Sequence, residues 1–122
     1  LLNTVTTDAT STALLVNGDS ALAVIEMNKT GVYNYTVDIL AFRTGGASGS
    51  GAVADRKFLK LEGMVFGSVA TQSITTIAAL GTVVGWTASI SFVGTDMHIK
   101  VTGSAAMDIT WQATARFNEM KL

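Results

Sequence analysis

At 122 residues the chain can build one hydrophobic core but not two, and 48% of it is apolar while only 14% is charged. A net charge of −1 gives no general attraction to nucleic acid or to an anionic membrane surface, and the lack of cysteine excludes disulfides and thiolate metal sites. No apolar run reaches the roughly 18–20 residues of a membrane span and none has the form of a signal peptide, so no membrane insertion is expected.

Polarity comes mainly from Thr, Ser, Asn and Gly. A threonine-rich surface suits a half-exposed sheet, and it loses little on desolvation against another copy of the chain. Proline is absent, so turns rest on Gly, Asn and Asp, and no proline guards an edge strand. The chain begins at Leu1 rather than Met, as expected of a fragment or a processed product. There is no internal repeat and no linker, so residues 1–122 are read as a single domain.

In chain order, Thr4-Val5-Thr6 is a short β-prone segment and Thr7 to Ser11 a turn rich in side-chain acceptors. Ala13 to Val16 runs into Asn17-Gly18, a dipeptide suited to a tight turn. Ala21 to Met27 is apolar on both faces, which implies burial on both sides or cover by a partner chain, and Asn28-Lys29-Thr30-Gly31 closes it. Val32 to Arg43 is the longest strand, with Tyr33, Tyr35, Val37, Ile39 and Ala41 on one face and Asn34, Thr36 and Asp38 on the other. Its pattern blurs at Leu40 and Phe42, where a bulge or a two-sided environment is expected.

Gly45 to Ala54 holds four glycines in ten residues and is expected to be an exposed, mobile loop. Lys57 to Phe66 alternates again, with Leu59, Leu61 and Val65 against Lys60 and Glu62. Ser73 to Leu80 allows a helical turn through its Ile74 and Ile77 spacing, but its threonine pair and Gly81 favour extended chain. Three regular runs follow. Trp86, Ala88, Ile90 and Phe92 oppose Thr87, Ser89 and Ser91. Met97, Ile99 and Val101 oppose His98, Lys100 and Thr102. Ile109, Trp111, Ala113, Ala115 and Phe117 oppose Thr110, Gln112, Thr114, Arg116 and Asn118. With short joints at Gly94-Thr95-Asp96 and Gly103-Ser104-Ala105, the three runs read as a meander with one dry and one wet wall.

Candidate chemistry is sparse. Gly49 to Ala54 matches a glycine-rich dinucleotide pattern, but such a loop works only where a helix starts behind it, and Lys57 to Phe66 alternates as a strand. No cofactor is expected. His98, the sole histidine, lies on a polar strand face and reads as a surface residue, with no triad or metal set around it. Asp8, Asp19, Asp55, Asp96 and Asp108 sit beside turns, where such side chains bond the backbone. Asn28-Lys29-Thr30 and Asn34-Tyr35-Thr36 match glycosylation acceptors but read as a turn and a strand face. Trp86 and Trp111 lie on apolar faces as core anchors. No catalytic or metal residue is assigned, and the chain is read as a non-enzyme.

Four segments in order resemble a β-rich module found at the C-terminal end of tailed-phage virion fibres and related surface proteins. Thr6 to Thr10 with Leu14 to Gly18 resembles the module's opening. Ile39 to Gly46 (ILAFRTGG) resembles its strand and glycine loop, followed by Phe58 to Gly63. Trp86 with the alternation behind it, then Lys100 to Gly103 and Ile109 to Ala113, resembles its closing strands. Phe42 stands at a basic position of that pattern, and Thr110 replaces a usual arginine.

The resemblance implies a virion-surface protein assembled in the host cytoplasm. It would be a homo-oligomer, trimeric by that likeness, whose partners are other virion proteins and a host surface receptor. The alternative is a capsid-decorating or head-fibre protein that stabilises the shell. The expected fold is an all-β, jelly-roll-like antiparallel β-sandwich of about eight to ten strands, with Leu61, Ile90, Ile99, Val101, Ile109 and Trp111 in its core. The candidate contact loop comprises Gly45, Gly46, Ser48, Gly49, Ser50 and Gly51.

Overall fold

A computed structural model describes residues 2–16, 30–94 and 96–121. The expected turns at Asn17 and Asn28 and the Ala21 to Met27 run lie outside the described residues. Secondary structure is all β, in chain order β1 (Leu2–Thr6), β2 (Thr12–Ala13), β3 (Leu15–Val16), β4 (Gly31–Gly45), β5 (Arg56–Phe66), β6 (Val69–Ala70), β7 (Ser73–Leu80), β8 (Thr87–Val93), β9 (Asp96–Thr102) and β10 (Asp108–Lys121). One sheet runs β3-β1-β10-β4-β5-β6 with β7 also on β5; the other runs β2-β9-β8. Neighbouring strands in both sheets run antiparallel.

Period-two alternation decides what each strand buries. On β4, Tyr33, Tyr35, Val37, Ile39 and Ala41 are buried, as are Leu59, Leu61 and Val65 on the facing β5. Met97, Ile99 and Val101 from the smaller sheet join the same core, with Ile109, Trp111 and Ala113 from β10. Ile90 and Phe92 pack at its margin, partly buried. Trp86 and Trp111 are both 0% exposed and meet with ring centroids 6.3 Å apart in a tilted pair. Such a contact adds about 0.5–1.5 kcal/mol beyond the area it buries. The Trp111 indole Nε1 donates to Thr6 Oγ1 at 2.8 Å, so the buried polar atom has a partner and β1 is fixed against β10.

One expectation needs correction. The last three runs do not form one meander. β8 and β9 pair, but β2 takes the other edge of β9 through Thr12↔Val101 and Ala13↔Lys100, and β10 enters the larger sheet between β1 and β4. Length supplies the reason: β10 has 14 residues and finds a ladder over its whole length on the 15-residue β4, whereas β9 offers seven. Of the two alternatives at Leu40 and Phe42, the bulge is absent, because the β4–β5 register runs unbroken from Val32↔Phe66 to Phe42↔Arg56. Both side chains leave the outer face of the sheet into solvent. The register shifts fall instead at Asp108/Ile109 against β4 and at Phe58/Leu59 against β7. Ser73 to Leu80 is extended, as β7, and every one of its eight residues is exposed.

A candidate contact loop held by buried charges

β4 and β5 are joined by residues 46–55, which contain most of the candidate contact residues. Gly46, Gly49, Ser50 and Gly51 are exposed, and Gly45 and Ser48 are half-buried. A glycine-rich loop left to itself loses roughly 1–2 kcal/mol of backbone entropy for each residue fixed, which motivates the expectation of mobility. The structure shows what opposes that entropy. Arg43 continues the inward parity of β4, is 3% exposed, and lays its guanidinium beneath the loop. Its Nε donates to Gly45 O at 2.9 Å, Nη1 to Ser50 O at 2.8 Å, and Nη2 to Ser48 O at 3.1 Å and Gly46 O at 3.4 Å. A planar fork of donors suits this task, since it reaches several carbonyls at once.

The loop is fastened at its ends as well. Arg43 N donates to Asp55 O and Ala54 N to Arg43 O, both at 2.9 Å. Ser48 N donates to Ala106 O at 2.9 Å, tying the loop to the β9–β10 connection. Gly46 passes so close to Ala106 and Met107, at a φ of 99°, that a side chain there would strike their backbone.

Asp55 anchors the far end. Its Oδ2 accepts from Ala52 N at 2.9 Å and from Thr82 N at 3.1 Å, joining the loop to the β7–β8 connection. The Ala52 and Thr82 N–H groups hold its carboxyl below the ordinary range; burial pulls the other way, and the charge of Arg43 adds to the lowering. Gly81, at a φ of 90°, leaves the space its carboxylate fills. Two residues on, buried Lys57 donates from Nζ to Trp86 O at 2.8 Å and Val83 O at 3.2 Å, and burial lowers its pKa.

The expected contact residues therefore lie on one ridge, with Gly45 and Ser48 half-buried; Arg43 and Asp55 set its shape, and Lys57 fastens the adjoining β7–β8 connection. None of the three was among the candidates, though a signal existed. All three share the inward parity of Ile39, Ala41, Leu59 and Leu61, where a charge must find partners or destabilise the core. The ridge presents small neutral side chains and backbone groups, which suits hydrogen bonding to a polar surface. Behind it comes strand β5, so the helix a dinucleotide loop requires is not at that position. Among the described residues no three His, Cys, Asp or Glu side chains gather as a metal site. His98 is half-buried rather than on open surface, and its Nε2 is covered without a partner among the described residues. Asn34 is exposed on the outer face of β4.

The all-β antiparallel fold is of a kind seen in a phage tail protein. Over 98% of its length the chain is similar in structure to the tailspike protein of Acinetobacter phage vB_ApiP_P1, with a TM-score of 0.51 and 14% sequence identity. The likeness spans 22% of that tailspike chain and is one of fold. No protein-family model matches the sequence, and no curated protein matches it.

Proposed function

We propose that this chain is a β-sandwich head module of a phage fibre or spike, which works as a homo-oligomer, trimeric by the resemblance above, and attaches the particle to its host. The observation that carries the reading is the fold likeness to a tailspike over nearly the whole chain. The loop adds support. Two buried charged side chains, Arg43 and Asp55, fasten the ridge, a costly arrangement if it only links two strands. Holding the ridge in one shape beforehand lowers the entropy lost when it meets a receptor. Its role is binding, with no chemical step assigned.

Immunogold labelling of intact particles tests the assignment. Gold on the tail tip or fibres is the expected result. Gold distributed over the capsid would overturn it in favour of a decoration protein that stabilises the shell.

A further inference from the structure

Strand β7 has an environment that a lone protomer does not explain. It lies at an edge of the larger sheet, paired on one side with β5, and among the described residues nothing pairs with its other side. All eight residues of SITTIAAL are exposed, which takes in both faces of the strand. Edge strands are normally guarded by a lysine, an inward charge, a proline or a bulge; β7 has none of the first three, and its one interruption is the register shift at Ile77. The neighbouring edge is treated differently: on β8, the Ile90 N–H is capped by Gln72 Oε1 at 3.1 Å.

The apolar surface continues from β7 across the outer face of the sheet. Register places Leu80 beside Arg56 and Phe42, and Ala78 beside Phe58 and Leu40. Leu40, Phe42, Ile77 and Leu80 are 57%, 42%, 51% and 54% exposed. Beyond them the same face turns charged, with Asp38, Lys60, Glu62 and Arg116 on adjacent strands and an Arg116–Asp38 ion pair at 3.7 Å. The apolar strip is thus a bounded patch, interrupted by the exposed Arg56 between Phe42 and Leu80.

We propose that β7, with the strip Leu40–Phe42–Phe58–Leu80, is the surface on which a second copy of this chain docks, adding backbone to the open edge and covering the strip. This rests on the homo-oligomer reading above and gives it a location. Area is compatible with a partner: the exposed apolar side chains with the rest of β7 offer a surface on the order of the ~800 Å² per partner of a standard stable interface. Chemistry favours a copy. β7 carries no charge to steer or select a foreign protein, and uncharged apolar surface is typical of obligate homomeric contacts.

The test measures the mass of the wild-type chain, Ile77→Lys, Leu80→Glu and the control Val93→Lys by light scattering at micromolar concentration, with circular dichroism to verify strand content. The wild type and control are expected as oligomers. Each β7 variant is expected to be folded and to dissociate, its Kd raised about 100-fold by a charge placed in an apolar contact. Hydrogen exchange provides a second readout, with the amides of residues 73–80 that point away from β5 slow in the wild-type oligomer and fast in the variants. Oligomers that persist in both β7 variants, with fast exchange at β7 in the wild type, would overturn this interface while leaving the oligomer reading intact. A monomeric wild type would overturn both. A monomer that assembles only with another virion protein would replace the second copy as the occupant.

Discussion

The strongest energetic claim concerns Arg43, and it can be tested by removing either half of its contact. Arg43→Met keeps most of the buried stem but leaves the carbonyls of Gly45, Gly46, Ser48 and Ser50 without their donor. Hydrogen bonds to a charged group contribute about 1.5–3 kcal/mol each, but the freed carbonyls can turn to water and the cation no longer bears a desolvation cost. The net loss is therefore well below the sum, about 3 kcal/mol. For a chain of this size that lowers Tm by about 10–12 °C. Deleting residues 46–51 with Arg43 intact removes three of its four acceptors, leaving Gly45 O, and so leaves a buried cation largely unpaired, at a cost of about 3 kcal/mol. Combining deletion with Arg43→Met should recover part of that loss, because the two changes remove halves of one interaction. Urea unfolding of the four proteins supplies the cycle. A loop deletion that costs under about 1 kcal/mol with Arg43 in place would refute the reasoning, and the loop would then be an ornament on an independent core.

Two further outcomes concern pH. Asp55 has a folded-state pKa below its unfolded value, so its contribution is present above the unfolded value and disappears as pH falls through the folded one. Wild-type melts should therefore lose stability on the acid side, and Asp55→Asn should flatten that slope. An unchanged slope would show that the carboxylate is not anchored as described. Burial pushes Tyr35 up to about 12, and its hydroxyl donates to Thr71 O at 2.8 Å. Its contribution is complete below about pH 10 and lost as pH climbs toward the folded value. Lys57, lowered by burial, changes stability in the opposite direction over its own window, so the difference between wild type and Tyr35→Phe isolates the tyrosine. That variant should cost about 1 kcal/mol at neutral pH and lose less stability in alkali.

Much of the fold is legible in the alternation of single strands. Tyr33 to Ala41, Leu59 to Val65 and Met97 to Val101 each bury the face their pattern indicates, because a period of two leaves a strand one way to hide its apolar side. Which strands become neighbours is not written locally. The β8–β9 hairpin follows from a short joint, but the passage of β10 to β4 depends on matching two long ladders distant in sequence. The contact loop is legible as a glycine-rich segment, whereas its order is not, because that comes from a guanidinium positioned by the parity of another strand. Arg43, Asp55 and Lys57 occupy inward positions where apolar residues are expected, and those breaks in pattern mark the site. Leu40 and Phe42 break the pattern on the opposite face. There the blur marks uncovered apolar surface, with no bulge in the backbone.

The central claim is attachment, and competition for host cells tests it most directly. Cells are incubated with the purified chain at about ten times its Kd, phage bearing the chain are added, and unadsorbed particles are counted with time. If the ridge above Arg43 is the contact surface, occupied receptors should slow adsorption about tenfold, and a folded variant with a glutamate in place of Gly49 should not compete. Adsorption that proceeds at full rate while the purified chain is folded and in excess would contradict an attachment role.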